Sequence, residues 1–257
     1  VKDIYIADYD GQNERGVILN GSLNVASVWS PNARSLLYTS WRQGPMQVFL
    51  PNIYEATGRQ LTTPPGENSL AVFSPDGRRV AFTSTRDGNS EIYVMNVDGS
   101  GTTRLTNHPR IDTTPTWSPS GSHIAFISDR SGGQELYVAG ADGLGLQQLT
   151  RGGKADRPTW SPAPYNEIAY SGQVGAGFEI MVMNFQTRET IQLTGLRNGE
   201  GSNESPAFSP NGRHIAFTST RSGKEQVFTM TRDGRDVRQI TRQGNNRQAN
   251  WSNGPQN

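Results

Sequence analysis

Short apolar runs alternate along the whole chain with clusters of Gly, Pro, Asn, Asp and Ser. The runs LLYTS (36–40), VAFTS (80–84), IAFIS (124–128), IAYSG (168–172) and IAFTS (215–219) are too short for helices, rich in β-branched and aromatic residues, and bounded by turn formers. Each follows a turn such as PDG or PSG, in which Pro sets the first corner and Gly accepts a positive φ. After a polar loop comes a further run, as in QVFLPNI (47–53), EIYVMNV (91–97), ELYVAGA (135–141), EIMVMNF (179–185) and QVFTMTR (226–232). A last short run ends in LTT, LTN, LTR, LTG or ITR, often beyond an Asp-Gly hairpin turn. No 3.6-residue periodicity occurs.

The unit repeats. An aromatic-Ser step marks its register near Trp29, Phe73, Trp117, Trp160, Phe208 and Trp251, at intervals of 44, 44, 43, 48 and 43 residues. Each repeat therefore predicts four strands, A to D, beginning at the aromatic-Ser step. Four-stranded units at this period predict an all-β, six-bladed β-propeller of antiparallel blades forming a single domain over residues 1–257. Residues 3–9 read as a C strand, 16–20 as a D strand and 249–252 as an A strand. The expectation is thus a last blade closed by both termini with one B strand missing, in a polypeptide that continues upstream of Val1.

Composition narrows the chemistry. A hydrophobic content of 33% with 18% charged residues suits a folded core, and the net charge of +1 gives no electrostatic case for nucleic acid or an anionic membrane. With 0 Cys, disulfide scaffolds and zinc-thiolate sites are excluded. No G-x-S-x-G or H-E-x-x-H occurs, so neither a nucleophile elbow nor a zincin is present. His108, His123 and His214 fall on different faces. Repeated Ser30, Ser74, Ser118, Ser161 and Ser209 read as turn hydroxyls, and repeated Arg42, Arg86, Arg130 and Arg221, in the pattern Ser-x-Arg, read as structural; Val174 stands near that point in the fourth blade. No enzyme activity is expected.

Strand alternation puts A–B and C–D turns on one face, and B–C loops with D–A connections on the other. The D–A connections are longer and more varied, as functional loops on a scaffold tend to be. Their ends, just before strand A, are the candidate partner-binding residues at a channel mouth. They are Glu67, Asn68 and Ser69; Asp112, Thr113 and Thr114; Asp156 and Arg157; and Asn203, Glu204 and Ser205. Leu23-Asn24-Val25 and Asn246-Arg247-Gln248 are their counterparts. This ring is polar and of mixed charge. Asp112, Asp156 and Glu204 are also the candidate ligands for a channel cation such as Ca²⁺, against the alternative that they cap strand ends or pair with Arg110 and Arg157. Otherwise no metal or cofactor is expected.

The repeat L-T-x(8)-P-x-W-S-P-x-G-x-x-I-A-F-x-S-x-R-x-G-x-x-x-[IL]-Y-V-x-x-x-D-G, clearest over 105–143, resembles the WD40-like PD40 repeat. Over its whole length the chain resembles the C-terminal propeller of the TolB family of the bacterial Tol–Pal system, including the D-Y-D-G turn at 8–11 and an end on ANWS. The resemblance implies an upstream α/β domain outside this chain. It also implies a periplasmic, monomeric, non-enzymatic scaffold that supports outer-membrane integrity and cell division. Partners would be the Pal-type lipoprotein, bound at one channel mouth, other Tol proteins and bacteriocin segments. It places Pal contacts in the segments before strand A, where Glu67-Asn68-Ser69 stands in place of the family's His-Asn-Gly. The alternatives are an accessory propeller of a serine peptidase, which needs a hydrolase domain elsewhere, and a sensor of small molecules or glycans.

Overall fold

A computed structural model describes residues 1–54, 58–195 and 201–254. Among them there are strands and no helices, and no helix long and apolar enough to cross a membrane. The chain divides into two compact units, Val1–Pro115 with Ser252–Asn257, and Thr116–Trp251.

The first unit holds the two-stranded sheet β1 (Ile4–Ile6) and β2 (Arg15–Ile18), then two four-stranded blades. One blade is β3 (Asn24–Trp29), β4 (Leu36–Ser40), β5 (Gln47–Pro51) and β6 (Gly58–Gln60). The other is β7 (Asn68–Phe73), β8 (Arg79–Ser84), β9 (Glu91–Asn96) and β10 (Thr103–Arg104). A third blade starts with β11 (Asp112–Trp117), which carries the boundary between units. It continues with β12 (His123–Ser128), β13 (Glu135–Gly140) and β14 (Gln147–Gln148). The second unit adds β15 (Ala155–Trp160), β16 (Glu167–Val174), β17 (Gly177–Asn184) and β18 (Thr190–Gln192), then β19 (Asn203–Phe208), β20 (His214–Ser219), β21 (Gln226–Thr231) and β22 (Arg238–Gln239).

The sequence pattern explains these blades strand by strand. B and C strands are buried on both sides, so they read as continuous apolar runs. Phe82 and Phe49 in the first unit, and Phe126 and Phe217 in the second, are fully enclosed. In four of the five B–C pairs an aromatic opposes an aromatic: Tyr38 and Phe49 at 5.5 Å, Phe82 and Tyr93 at 5.9 Å, Phe126 and Tyr137 at 6.2 Å, Phe217 and Phe228 at 5.9 Å; in the β16–β17 pair Tyr170 opposes Met181. The Ser-x-Arg guanidiniums lie over these rings, Arg42 3.9 Å from Phe49, Arg86 4.9 Å from Tyr93, Arg130 5.1 Å from Tyr137 and Arg221 4.9 Å from Phe228. At the A–B turn, the serine of each aromatic-Ser step accepts the amide that opens strand B, at 3.0 Å for Ser30, 2.9 Å for Ser74, 3.0 Å for Ser118, 2.9 Å for Ser161 and 3.0 Å for Ser209.

The recurrent L-T step closes each blade. The threonine hydroxyl donates to the Gln or Glu that opens strand C, at 2.8 Å for Thr62–Gln47 and 2.6 Å for Thr106–Glu91, Thr150–Glu135, Thr194–Glu179 and Thr241–Gln226. The same oxygens accept the next strand-C amide, as Ile180 donates to Thr194 at 2.9 Å. A buried carboxylate is tolerated here because fixed donors replace its water. Burial alone raises the pKa of Glu91; hydrogen bonds from Thr106, from the His108 amide and from Arg104 outweigh it and hold the carboxyl below its ordinary range.

The predicted six-bladed ring with a blade closed by both termini is not what forms: the described residues make five four-stranded blades and one two-stranded sheet. β1 and β2 pair only with each other, and residues 249–252 belong to no strand. A strand exists through its ladder, and among the described residues no strand pairs with residues 249–252. Residues 248–251 instead lie against the β19–β22 blade, with the Gln248 amide on Thr218 Oγ1 at 3.0 Å and Trp251 Nε1 on the Ala207 carbonyl at 3.0 Å.

Replacing Thr194 with Val removes the donor to Glu179 and the acceptor for Ile180. Thr194→Val is expected to cost about 1–3 kcal/mol in denaturant unfolding, and Thr194→Ser to recover most of it.

Candidate partner-binding site

Most of the residues expected just before strand A are in fact its first residues, while Glu67 precedes β7 and residues 246–248 lie in no strand. Asn68, Asp112 and Asn203 are each 0% exposed. Asn68 Nδ2 donates to Gln47 Oε1 at 2.9 Å and its Oδ1 accepts from Arg86 at 3.0 Å. Asn203 repeats this with Glu179 at 2.7 Å and Arg221 at 2.9 Å. The Asp112 amide donates to the Ser90 carbonyl at 2.9 Å, and Ala155 takes the equivalent place with its amide on Gln134 at 2.8 Å. These side chains hold the strand start from inside.

The two positions after each of them are less enclosed, although the Thr114 hydroxyl oxygen stays buried. Ser69, Thr113, Thr114, Asp156, Arg157, Glu204 and Ser205 are half-buried and Glu67 is exposed. The second of the two is left-handed in every repeat: φ is 55° at Ala26, 54° at Leu70, 50° at Thr114, 48° at Arg157, 55° at Ser205 and 59° at Gln248. None of these is Gly, so each bears a local strain of about 1–2 kcal/mol. Strand A is bulged at that point, with register shifts at Val25/Val28, Ser69/Val72, Asp156/Thr159 and Glu204/Ala207. The turned amide reaches a hydroxyl of the preceding blade, Leu70 to Thr39 at 3.2 Å in the first unit and Ser205 to Ser171 at 3.0 Å in the second.

By this register the counterpart of Asp112-Thr113-Thr114 is Asn68-Ser69-Leu70. Leu70 was missed because an apolar residue inside a strand-like run carries no functional signal in sequence. Ile111, 49% exposed, was missed for the same reason, so the first unit's edge is less polar than its sequence suggested. In the second unit, Asp156 and Arg157 form an ion pair at 3.7 Å with both side chains about one-third exposed. Its contribution to stability is small in that setting.

Among the described residues, no group of three or more His, Cys, Asp or Glu side chains is placed to hold a metal ion. Asp112 is interior, with its carboxyl against Glu91, and Asp156 is turned to Arg157. His123 Nδ1 is satisfied by Ser122 Oγ at 2.8 Å, and His108 Nδ1 accepts the Arg110 amide at 3.1 Å.

Beside the strand start of the second blade, the Tyr93 hydroxyl donates to Asp87. Burial, then that hydrogen bond and the Asp87 charge, push the Tyr93 phenol up to about 12 from 10.0. A pKa raised in the folded state favours the neutral phenol there, so its stabilisation is complete below pH 10 and is lost as pH climbs toward 12. Alkaline titration by phenolate absorbance is expected to show a phenol ionising near pH 12 that is lost in Tyr93→Phe, and Tyr93→Phe is expected to lessen the fall in stability as pH climbs from 10 toward 12.

The geometry has known counterparts. The Tol-Pal system protein TolB of Desulfosudis oleivorans is 34% identical over 57 residues, which is 22% of this chain and 13% of that protein. An uncharacterized protein of Agrobacterium fabrum is 37% identical over 82 residues, 32% of this chain and 27% of that protein. The crystal structure of TolB from Acinetobacter baumannii superposes with a TM-score of 0.85 at 28% identity, covering 96% of this chain and 61% of that one. This chain therefore spans about three-fifths of that TolB, and its matches to the curated relatives cover less. The family model of the TolB beta propeller domain, PD40, accounts for residues 2–254, and the chain belongs to that family.

Proposed function

We propose that this chain is a non-enzymatic, periplasmic binding scaffold whose strand-A starts bind a Pal-type lipoprotein, in the service of outer-membrane integrity and cell division. The observation that supports it most directly is the repeated bulge. It leaves two successive side chains partly exposed at the strand starts, and the interior clasp holds that backbone in a conformation that non-Gly residues otherwise avoid. Strain maintained at a particular surface is a reason to look for function there. Pre-formed backbone also lowers the ordering cost of association.

On this reading Glu67, Ser69, Thr113 and Thr114 in the first unit, and Asp156, Arg157, Glu204 and Ser205 in the second, make the contacts. Asn68, Asp112 and Asn203 act from beneath by fixing the segment. Other Tol proteins and bacteriocin segments are further partners in the same reading.

Calorimetric titration with the soluble Pal-type domain of the same organism tests it. Saturable binding is expected, weakened at least about tenfold by Asp156→Lys with thermal unfolding unchanged. Absence of binding by the folded wild-type chain overturns the proposal.

A further inference from the structure

The fourth blade departs from the others at one place on this same edge. Its B–C segment, residues 173–178, is as long as the six-residue loops 85–90, 129–134 and 220–225, yet it is zipped into the ladder. Gln173 pairs with Phe178 and Val174 with Gly177, leaving Gly175-Ala176 as a two-residue turn with Gly175 at φ 60°. Where Arg86, Arg130 and Arg221 stand in their loops, this hairpin presents Val174, 44% exposed, with exposed Ala176 beside it.

The tip is also braced from both sides. The Gln173 amide donates to the Lys154 carbonyl at 2.9 Å, just ahead of Asp156 and Arg157. The Phe178 amide donates to Ser202 Oγ at 3.1 Å, just ahead of Glu204 and Ser205. Gly177 sits so close to the Gly201 carbonyl that a Cβ there has no room. The hairpin that carries the exposed valine is thus tied to the segments leading into both neighbouring strand-A starts.

Resting on the scaffold reading above, we propose that the β16–β17 tip is a specificity-determining contact: Val174 receives an apolar side chain of the Pal-type partner, within a rim formed by Asp156, Arg157 and Glu204. An apolar centre inside a charged rim is the usual anatomy of a binding hot spot. The rim's charges, one basic and two acidic, suit a partner segment in which that apolar residue is flanked by groups of both signs. A rigid tip adds affinity because little freedom is lost when it is covered.

The test is titration of the full chain with the soluble Pal-type domain, comparing wild type with Val174→Asp, Val174→Arg and Val174→Ile. Val174 is surface-exposed, so equal thermal unfolding of all four is the control for folding. The expected result is at least about tenfold weaker binding for the Asp and Arg variants and near wild-type affinity for Ile. Val174→Asp binding as wild type does would overturn this inference and leave the scaffold reading standing. No binding by the wild type would overturn both.

Discussion

The start of strand A in these blades rests on one repeated polar clasp. In each blade a threonine at the end of strand D, a Gln or Glu at the start of strand C and the strand-C amide satisfy one another inside the protein. In the Gln47 and Glu179 copies the first Asn of the next strand A joins them, and the Asn246 amide side chain reaches Gln226 at 3.2 Å in the same way. A buried carboxylate or amide left unpaired would cost more than a hydrogen bond returns. The clasp therefore operates as a whole, and it couples the end of one repeat to the beginning of the next.

That coupling supports the bulge. The buried Asn68 or Asn203 is the last interior residue before the backbone turns left-handed, and Arg86 or Arg221 grips it from the B–C loop while resting on two aromatic rings. Desolvation lowers the Arg221 pKa, and the charge of Glu179 opposes that shift. The Ser-x-Arg residues are thus structural, and their effect reaches the surface through the asparagine they hold. In the fourth blade Val174 stands at that position in a hairpin tied to both flanking strand starts.

The blade count shows what repetition alone leaves open. Six aromatic-Ser steps read as six blades, yet residues 249–252 form no strand while their neighbour Gln248 keeps the positive φ of its five counterparts and the inter-blade amide bond seen at Leu70 and Ser205. Local sequence directs the path of the chain; a strand additionally requires a partner strand at hydrogen-bonding distance. The same requirement leaves β1 paired only with β2 and Tyr5 53% exposed, although its counterparts Phe49 and Tyr93 are buried.

The sequence by itself determined the strand order, the turns, the repeat period and the edge of each blade that carries variable residues. These follow from local rules of alternation, φ preference and apolar patterning, which act over a few residues. Only the tertiary structure decided which residues on that edge face outward. Asn68, Asp112 and Asn203 look as polar in sequence as Ser69, Thr113 and Glu204, but packing against the preceding blade encloses the first set and the bulge exposes the second. Leu70, Ile111 and Val174 gained their place at the surface for the same reason: exposure is set by neighbours about forty residues away in the chain, and no local pattern encodes it.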